Sequence, residues 1–196
     1  MGNVRIDALR EQMKDNNIDV YYLNTSDYHM SEYVPLYFKT IEYFSGFSGS
    51  LATLLVDLES AYIFVDGRYH IQAEKQCLPN DVQVVKLGTA NALEPIEFIK
   101  KNYAGKVIGL DGKRTSINFA SALSDFEIKS IDIYSGLIEN RVPLSTDLIY
   151  ELGVEYTGLS RKKKLDNVKY ILDGKTHIVN NLESISYILN LRGNDI

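Results

Sequence analysis

Leu51 to Cys77 reads LATLLVDLESAYIFVDGRYHIQAEKQC. Two near-continuous apolar runs, LATLLVD and AYIFVD, are separated by Leu58-Glu59-Ser60. Strands covered on both faces lose the polar alternation of half-exposed ones, so this spacing predicts a hairpin of two well-buried strands. The second run meets the turn pair Asp66-Gly67, and after Arg68 the pattern becomes helical, RYHIQAEKQC. A buried hairpin that feeds a strand–turn–helix unit predicts an α/β fold.

The pattern continues in both directions. Upstream, VRIDALREQMKDNN places Val4, Ala8 or Leu9, and Met13 on one helical stripe and stops at Asn16-Asn17. IDVYYLN (Ile18 to Asn24) reads as a strand, TSDYHMSEYV as a polar loop with an aromatic interior, and YFSGFSGS as the end of a short helix closed by Gly46 and Gly49. Downstream, DVQVVKL is a strand, ALEPIEFIKKNYA a helix with Pro95 in its first turn, and KVIGLDG a strand ending in a second Asp-Gly turn. SINFASALS is a helix capped by Ser116, and EIKSIDI is a strand. Residues 1–134 therefore predict a mixed sheet flanked by helices, with a hairpin in the middle and crossovers elsewhere.

From Tyr134 to Gly158 the pattern loosens, and Pro143 with its neighbouring turn residues predicts a linker (135–159) with a short helix around Thr146 to Leu152. SRKKKLDNVKYILDGK then predicts a helix with Leu165, Val168 and Leu172 on one face, THIVNN a short strand flanked by His177, and LESISYILNL a helix. Residues 160–193 thus echo the helix–strand–helix–glycine order of residues 4–46. A half-sheet without partner strands has open edges and little core. The expectation is that 160–196 begins a second, similar domain, truncated here, and that the chain is the amino-terminal piece of a longer polypeptide.

Composition sets bounds. The chain has 196 residues, 45% of them apolar, enough for a sizeable core. With 21 basic and 26 acidic residues the net charge is 21 − 26 = −5, which argues against broad binding to nucleic acid or anionic membranes. Met1-Gly2 is a poor lipidation signal, no signal peptide follows it, and no apolar run nears the ~20 residues of a membrane span. The single cysteine, Cys77, excludes an internal disulfide and reads as a small buried residue.

Four stretches in order, SDYHMSEYV, YFSGFSGSLAT, FVDGRYHIQAE and YILNLRGNDI, resemble the amino-terminal part of the long-form Xaa-Pro aminopeptidases (aminopeptidase P), within the creatinase and prolidase group. The resemblance covers nearly the whole chain. It departs from the family pattern at Ala52, Val65 and His70, and IENRVPLSTDL matches the family linker only loosely. It implies a creatinase amino-terminal, ribonuclease H-like fold. It implies that the parent protein is a metallo-hydrolase cleaving before a proline at a peptide's second position, with two divalent metals, manganese or zinc, on a further catalytic domain. This chain would then hold no catalytic residue and no metal ligand, and would be inactive alone. It further implies a cytoplasmic homodimer acting on proline-containing peptides, without nucleic-acid or membrane partners. A non-catalytic protein- or peptide-interaction module of the same fold is the alternative; ordered metal ligands downstream of Ile196 would discriminate the two.

The candidate residues are few. Arg68 on its own reads as a structural brace pairing with Asp66 or Glu74; the resemblance implies that it reaches over the cleft toward substrate. A guanidinium offers five fixed donors and stays charged, which suits a peptide carbonyl or carboxylate. His29, Glu32 and Tyr33 are secondary substrate-binding candidates in a loop that the resemblance places near the cleft and subunit boundaries. His29 and Glu32 could share one helical turn, but two ligands make no metal site. SGFSGS and GLDGKRTS lack the Gly-Lys-Ser/Thr of a phosphate loop and read as turns. Arg161 to Lys164 reads as a solvated basic face.

Overall fold

The computed structural model describes residues 3–193; Met1-Gly2 and the Asn194-Asp195-Ile196 end of the last motif lie outside the described residues. The helices and strands are α1 (Val4–Asp15), β1 (Val20–Asn24), α2 (Thr40–Ser45), β2 (Thr53–Asp57), β3 (Ala61–Val65), α3 (His70–Cys77), β4 (Gln83–Lys86), α4 (Pro95–Asn102), β5 (Val107–Leu110), α5 (Ile117–Ala122) and β6 (Glu127–Ser130). After them come β7 (Tyr150–Glu151), α6 (Val154–Thr157), α7 (Arg161–Leu172), α8 (Leu182–Leu189) and β8 (Leu191–Arg192). Among the described residues no helix is long and apolar enough to cross a membrane.

The hairpin forms where the apolar runs predict it. β2 and β3 pair antiparallel, with Thr53 opposite Phe64 and Val56 opposite Ala61. They sit inside a six-stranded mixed sheet of order β4-β3-β2-β1-β5-β6. β2 is antiparallel to both its neighbours, while the other pairings, β1–β5, β3–β4 and β5–β6, are parallel. The carboxyl ends of β1, β3, β4, β5 and β6 therefore share one edge, where open α/β sheets bind ligands.

The lost alternation has its cause in two cores. Tyr21, Leu23, Leu54, Val56, Ile63 and Val65 pack on one face against Ile6, Leu9 and Met13 of α1, Phe44 of α2, and Ala73 and Cys77 of α3. Val20, Tyr22, Leu55 and Phe64 pack on the other against Ile99 and Leu123, on the side of α4 and α5. Every second residue of each central strand thus has an apolar destination.

Three expectations need correction. In α1 the buried stripe is Ile6, Leu9 and Met13, and Val4 is 79% exposed. Asn3 caps the helix, its Oδ1 accepting from the Arg5 and Ile6 amides, and this start turns Val4 outward. In the linker, Thr146 to Leu152 is not helical. Tyr150–Glu151 instead pairs antiparallel with Leu191–Arg192, the Leu152 amide donates to the Asn190 carbonyl at 2.8 Å, and the helix waits until Gly153 has passed. THIVNN forms no strand; Asn181 serves instead as the cap of α8, accepting from the Ser184 amide. The echo of residues 4–46 in 160–193 is weaker for it, and His177 is exposed on a segment without regular structure.

α7 does present Leu165, Val168 and Leu172 as a half-buried row. Its basic start is not uniformly solvated, however. Arg161, Lys162 and Lys163 are exposed, but Lys164 is buried, its Nζ donating to the Tyr187 carbonyl at 2.8 Å and lying 3.8 Å from that ring's centre.

Candidate functional site

Strand β3 leaves the sheet through Asp66-Gly67-Arg68. Asp66 Oδ1 accepts the Arg68 amide at 2.9 Å and its Nε at 3.0 Å, and Oδ2 accepts Nη2 at 2.7 Å. This bidentate clamp holds the Asp66 carboxyl down at about 2, first through the guanidinium hydrogen bonds and then through the backbone amide. Glu74, the other carboxylate considered for Arg68, is taken by Lys86 at 2.7 Å. The Arg68 side chain is 63% exposed and lies 5.2 Å over the Tyr69 ring. Asp66 occupies only the Nε–Nη2 edge, and Nη1 has no hydrogen-bond partner among the described residues.

The segment before β2 is stitched to this turn. Tyr69 shares a 2.7 Å hydrogen bond with Ser50, and Phe47 packs edge-on to its ring at 5.5 Å. Ser48 Oγ accepts from both Gln72 and Gln76 of α3. Gly46 makes the approach possible: it closes α2 with φ +78°, and a Cβ there would stand 2.7 Å from Asn80 Nδ2. Between this segment and the loop after β1 opens a cavity of about 230 Å³, lined by Thr25, Glu32, Tyr33, Val34, Ile41 and Phe47 among others.

The loop after β1 is shaped by Asp27. Its buried Oδ1 accepts the amides of His29 at 2.8 Å and Ser31 at 3.0 Å. Burial opposes the charge, but those amides outweigh it and hold the carboxyl below its usual range. Beyond this turn the sequence candidates part. Glu32 and Tyr33 line the cavity beside the Arg68 turn. His29 lines a different groove, with Tyr28, Pro35, Phe38, Leu144, Ile149 and Leu182. Glu32 and Tyr33 thus share one cavity, which the Arg68 turn adjoins through the contacts of Ser50 and Phe47 with Tyr69, and His29 is left out. Among the described residues no three His, Cys, Asp or Glu side chains gather to hold a metal. Cys77 is buried, and burial pushes its thiol up to about 11. His70, a departure from the family pattern, turns Nε2 to the Leu87 carbonyl at 3.2 Å.

Sequence reasoning missed Arg114. It follows the second Asp-Gly turn, is 2% exposed, and commits its donors to five partners: the carbonyls of Ser26 (2.7 Å), Asn24 (3.1 Å) and Phe38 (2.8 Å), the Thr40 hydroxyl (3.1 Å) and the Tyr134 hydroxyl (3.0 Å). Tyr134 in turn donates to Asp111 Oδ2 at 2.7 Å. One guanidinium thereby fastens both ends of the loop that carries Glu32 and Tyr33. The signal available in the sequence is the repeated Asp-Gly at a strand end followed by an arginine.

Comparison with known proteins agrees with the fold. Residues 5–140 match the family model described as Creatinase/Prolidase N-terminal domain, and residues 140–196 match a second model of that description. A probable Xaa-Pro aminopeptidase P of Neurospora crassa is 32% identical over 209 residues, covering 98% of this chain and 30% of its own length. One of Paracoccidioides lutzii is 34% identical over 205 residues, covering 98% and 33%. The crystal structure of X-prolyl aminopeptidase from Caenorhabditis elegans, described as a cytosolic enzyme with a di-nuclear active site, aligns with a TM-score of 0.81 at 29% identity, over 91% of this chain and 31% of that one. The chain spans about a third of the length of the curated relatives it matches.

Proposed function

Because this chain belongs to the creatinase/prolidase N-terminal domain family, we propose that it is the non-catalytic amino-terminal part of a metal-dependent Xaa-Pro aminopeptidase, shaping the cleft into which a proline-containing peptide enters. The polypeptide it belongs to removes the residue that precedes a proline. Its two divalent metals, manganese or zinc, sit on sequence outside this chain. The di-nuclear, cytosolic relative supports both the metals and a cytosolic home. Residues 160–196 open a second domain of the same kind, supported by the second family match, and copies of the full polypeptide pair as a dimer.

One observation carries the reading: an exposed arginine at the ligand-binding edge of the sheet, braced on one side and free on the other. Asp66 fixes the plane of the Arg68 guanidinium. Nη1 is then presented, without a search through rotamers, to a peptide carbonyl or carboxylate beyond the scissile bond. A charge-assisted hydrogen bond of this kind contributes about 1.5–3 kcal/mol, or roughly one to two powers of ten in kcat/KM. That orients a substrate and leaves the bond-breaking chemistry to the metals. Arg68→Ala in the full-length protein is expected to lower kcat/KM by about 10- to 100-fold; a value equal to wild type removes the role.

A further inference from the structure

We propose that the cavity beside Arg68 is a side-chain subsite, and that it takes an apolar residue following the proline of the substrate; this rests on the aminopeptidase reading above and gives that activity a selectivity. Size comes first. At about 230 Å³ the cavity is smaller than the ~300–1,000 Å³ pockets that enclose whole small molecules, and it suits one side chain. Lining chemistry comes second. Ile41 and Phe47, each 1% exposed, are core residues that show a face to the cavity, and Val34 adds a third apolar surface. Burial there rewards an aliphatic or aromatic group and offers little to a glycine.

The rim supplies the third argument. Glu32 lines the cavity and is exposed, and Arg68 stands within its electrostatic reach; Arg68 is held charged first by Asp66, with Tyr69 and Glu32 adding to it. A peptide backbone is complementary to such a pair. Its N–H donates to the Glu32 carboxylate, its carbonyl accepts from Arg68 Nη1, and the side chain between them points to the apolar floor. Lys39, the cation on the lining itself, is engaged with Glu42 at 3.6 Å, which leaves Arg68 beside the cavity as the donor to a peptide carbonyl. Cavity and guanidinium are also mechanically one unit, because Phe47 and Ser50 of the lining hold the Tyr69 ring over which Arg68 lies.

The test uses the full-length protein and Ala-Pro-Yaa peptides with Yaa as Gly, Ala, Leu or Phe. Wild type is expected to favour Leu and Phe over Gly by about 10-fold or more in kcat/KM. Val34→Trp, which fills the cavity, is expected to bring that ratio close to one. Arg68→Ala is expected to lower turnover of all four peptides by a similar factor and keep the ratio. Equal turnover of the Gly and Leu peptides by wild type overturns the subsite, whether or not the filled variant folds. So does a Val34→Trp protein whose ratio is unchanged. If no Xaa-Pro peptide is cleaved at all, the aminopeptidase reading itself falls and the subsite falls with it.

Discussion

Asp66-Gly67-Arg68 and Asp111-Gly112-Lys113-Arg114 leave the same edge of the sheet with nearly the same spelling and arrive in opposite surroundings. Each begins identically: the aspartate accepts the amide two residues on, Arg68 at 2.9 Å in one turn and Lys113 at 3.0 Å in the other. One inserted residue then separates them. Arg68 falls back on its own aspartate and stays in solvent, whereas Arg114 passes beneath the loop after β1 and is enclosed. Gly112 tightens the second turn, since a Cβ there would run into Ser130 Oγ. Turn chemistry is local, whereas an arginine's duty is set by what lies over the turn. Beside β5 the exit loop of β1 folds across and Tyr134 closes the site; beside β3 the cavity is left open.

Losing the buried arginine has the largest expected effect. Arg114→Ala takes the donor away from three buried carbonyls and two hydroxyls, so it is expected to cost about 3–5 kcal/mol, read from the chemical denaturation midpoint. A midpoint equal to that of Arg68→Ala would erase the contrast. Tyr134→Phe keeps the packing and deletes only the hydroxyl between Arg114 and Asp111; about 1–3 kcal/mol is expected by the same measurement. The exposed turn sets the lower end. Arg68→Ala is expected to leave the midpoint where it is and to change instead the titration of Asp66, followed by NMR. The Asp66 carboxyl is held at about 2, below the ~3.9 of a free aspartate. The clamp is therefore fully present above pH ~3.9 and is lost as pH falls toward 2, and without Arg68 the midpoint moves up toward the ordinary value.

The hairpin was legible because uninterrupted apolar runs admit few interpretations, and helices α3, α4 and α5 because a turn, a proline or a capping serine marks where each begins. The Asp66–Arg68 pair was legible as one of two options, Asp66 or Glu74; Lys86, brought up on the neighbouring strand, takes Glu74 and decides between them. Arg114 was not, since its enclosure depends on Asn24, Ser26, Phe38, Thr40 and Tyr134, which only the fold assembles. The resemblance placed the Glu32 loop and Arg68 near one cleft, but the docking of Phe47 and Ser50 on Tyr69 that joins them was hidden for the same reason. Beyond residue 140 the expectations failed where pairing overrode local preference. Tyr150–Glu151 was drawn into a strand by Leu191–Arg192, some forty residues away, and Lys164 was drawn inward by Tyr187.

Because the strand order runs β4-β3-β2-β1-β5-β6, the margins of the sheet are β4 and β6, each only four residues long. Lys86 ends one margin, bound to Glu74, and Lys129 guards the other, its Nζ capping the carbonyls of Asn16 and Asn17. A second copy adding itself as a seventh strand would gain few backbone bonds and would have to strip water from a lysine at either side. The margins of the six-stranded sheet are thus poor templates for strand addition.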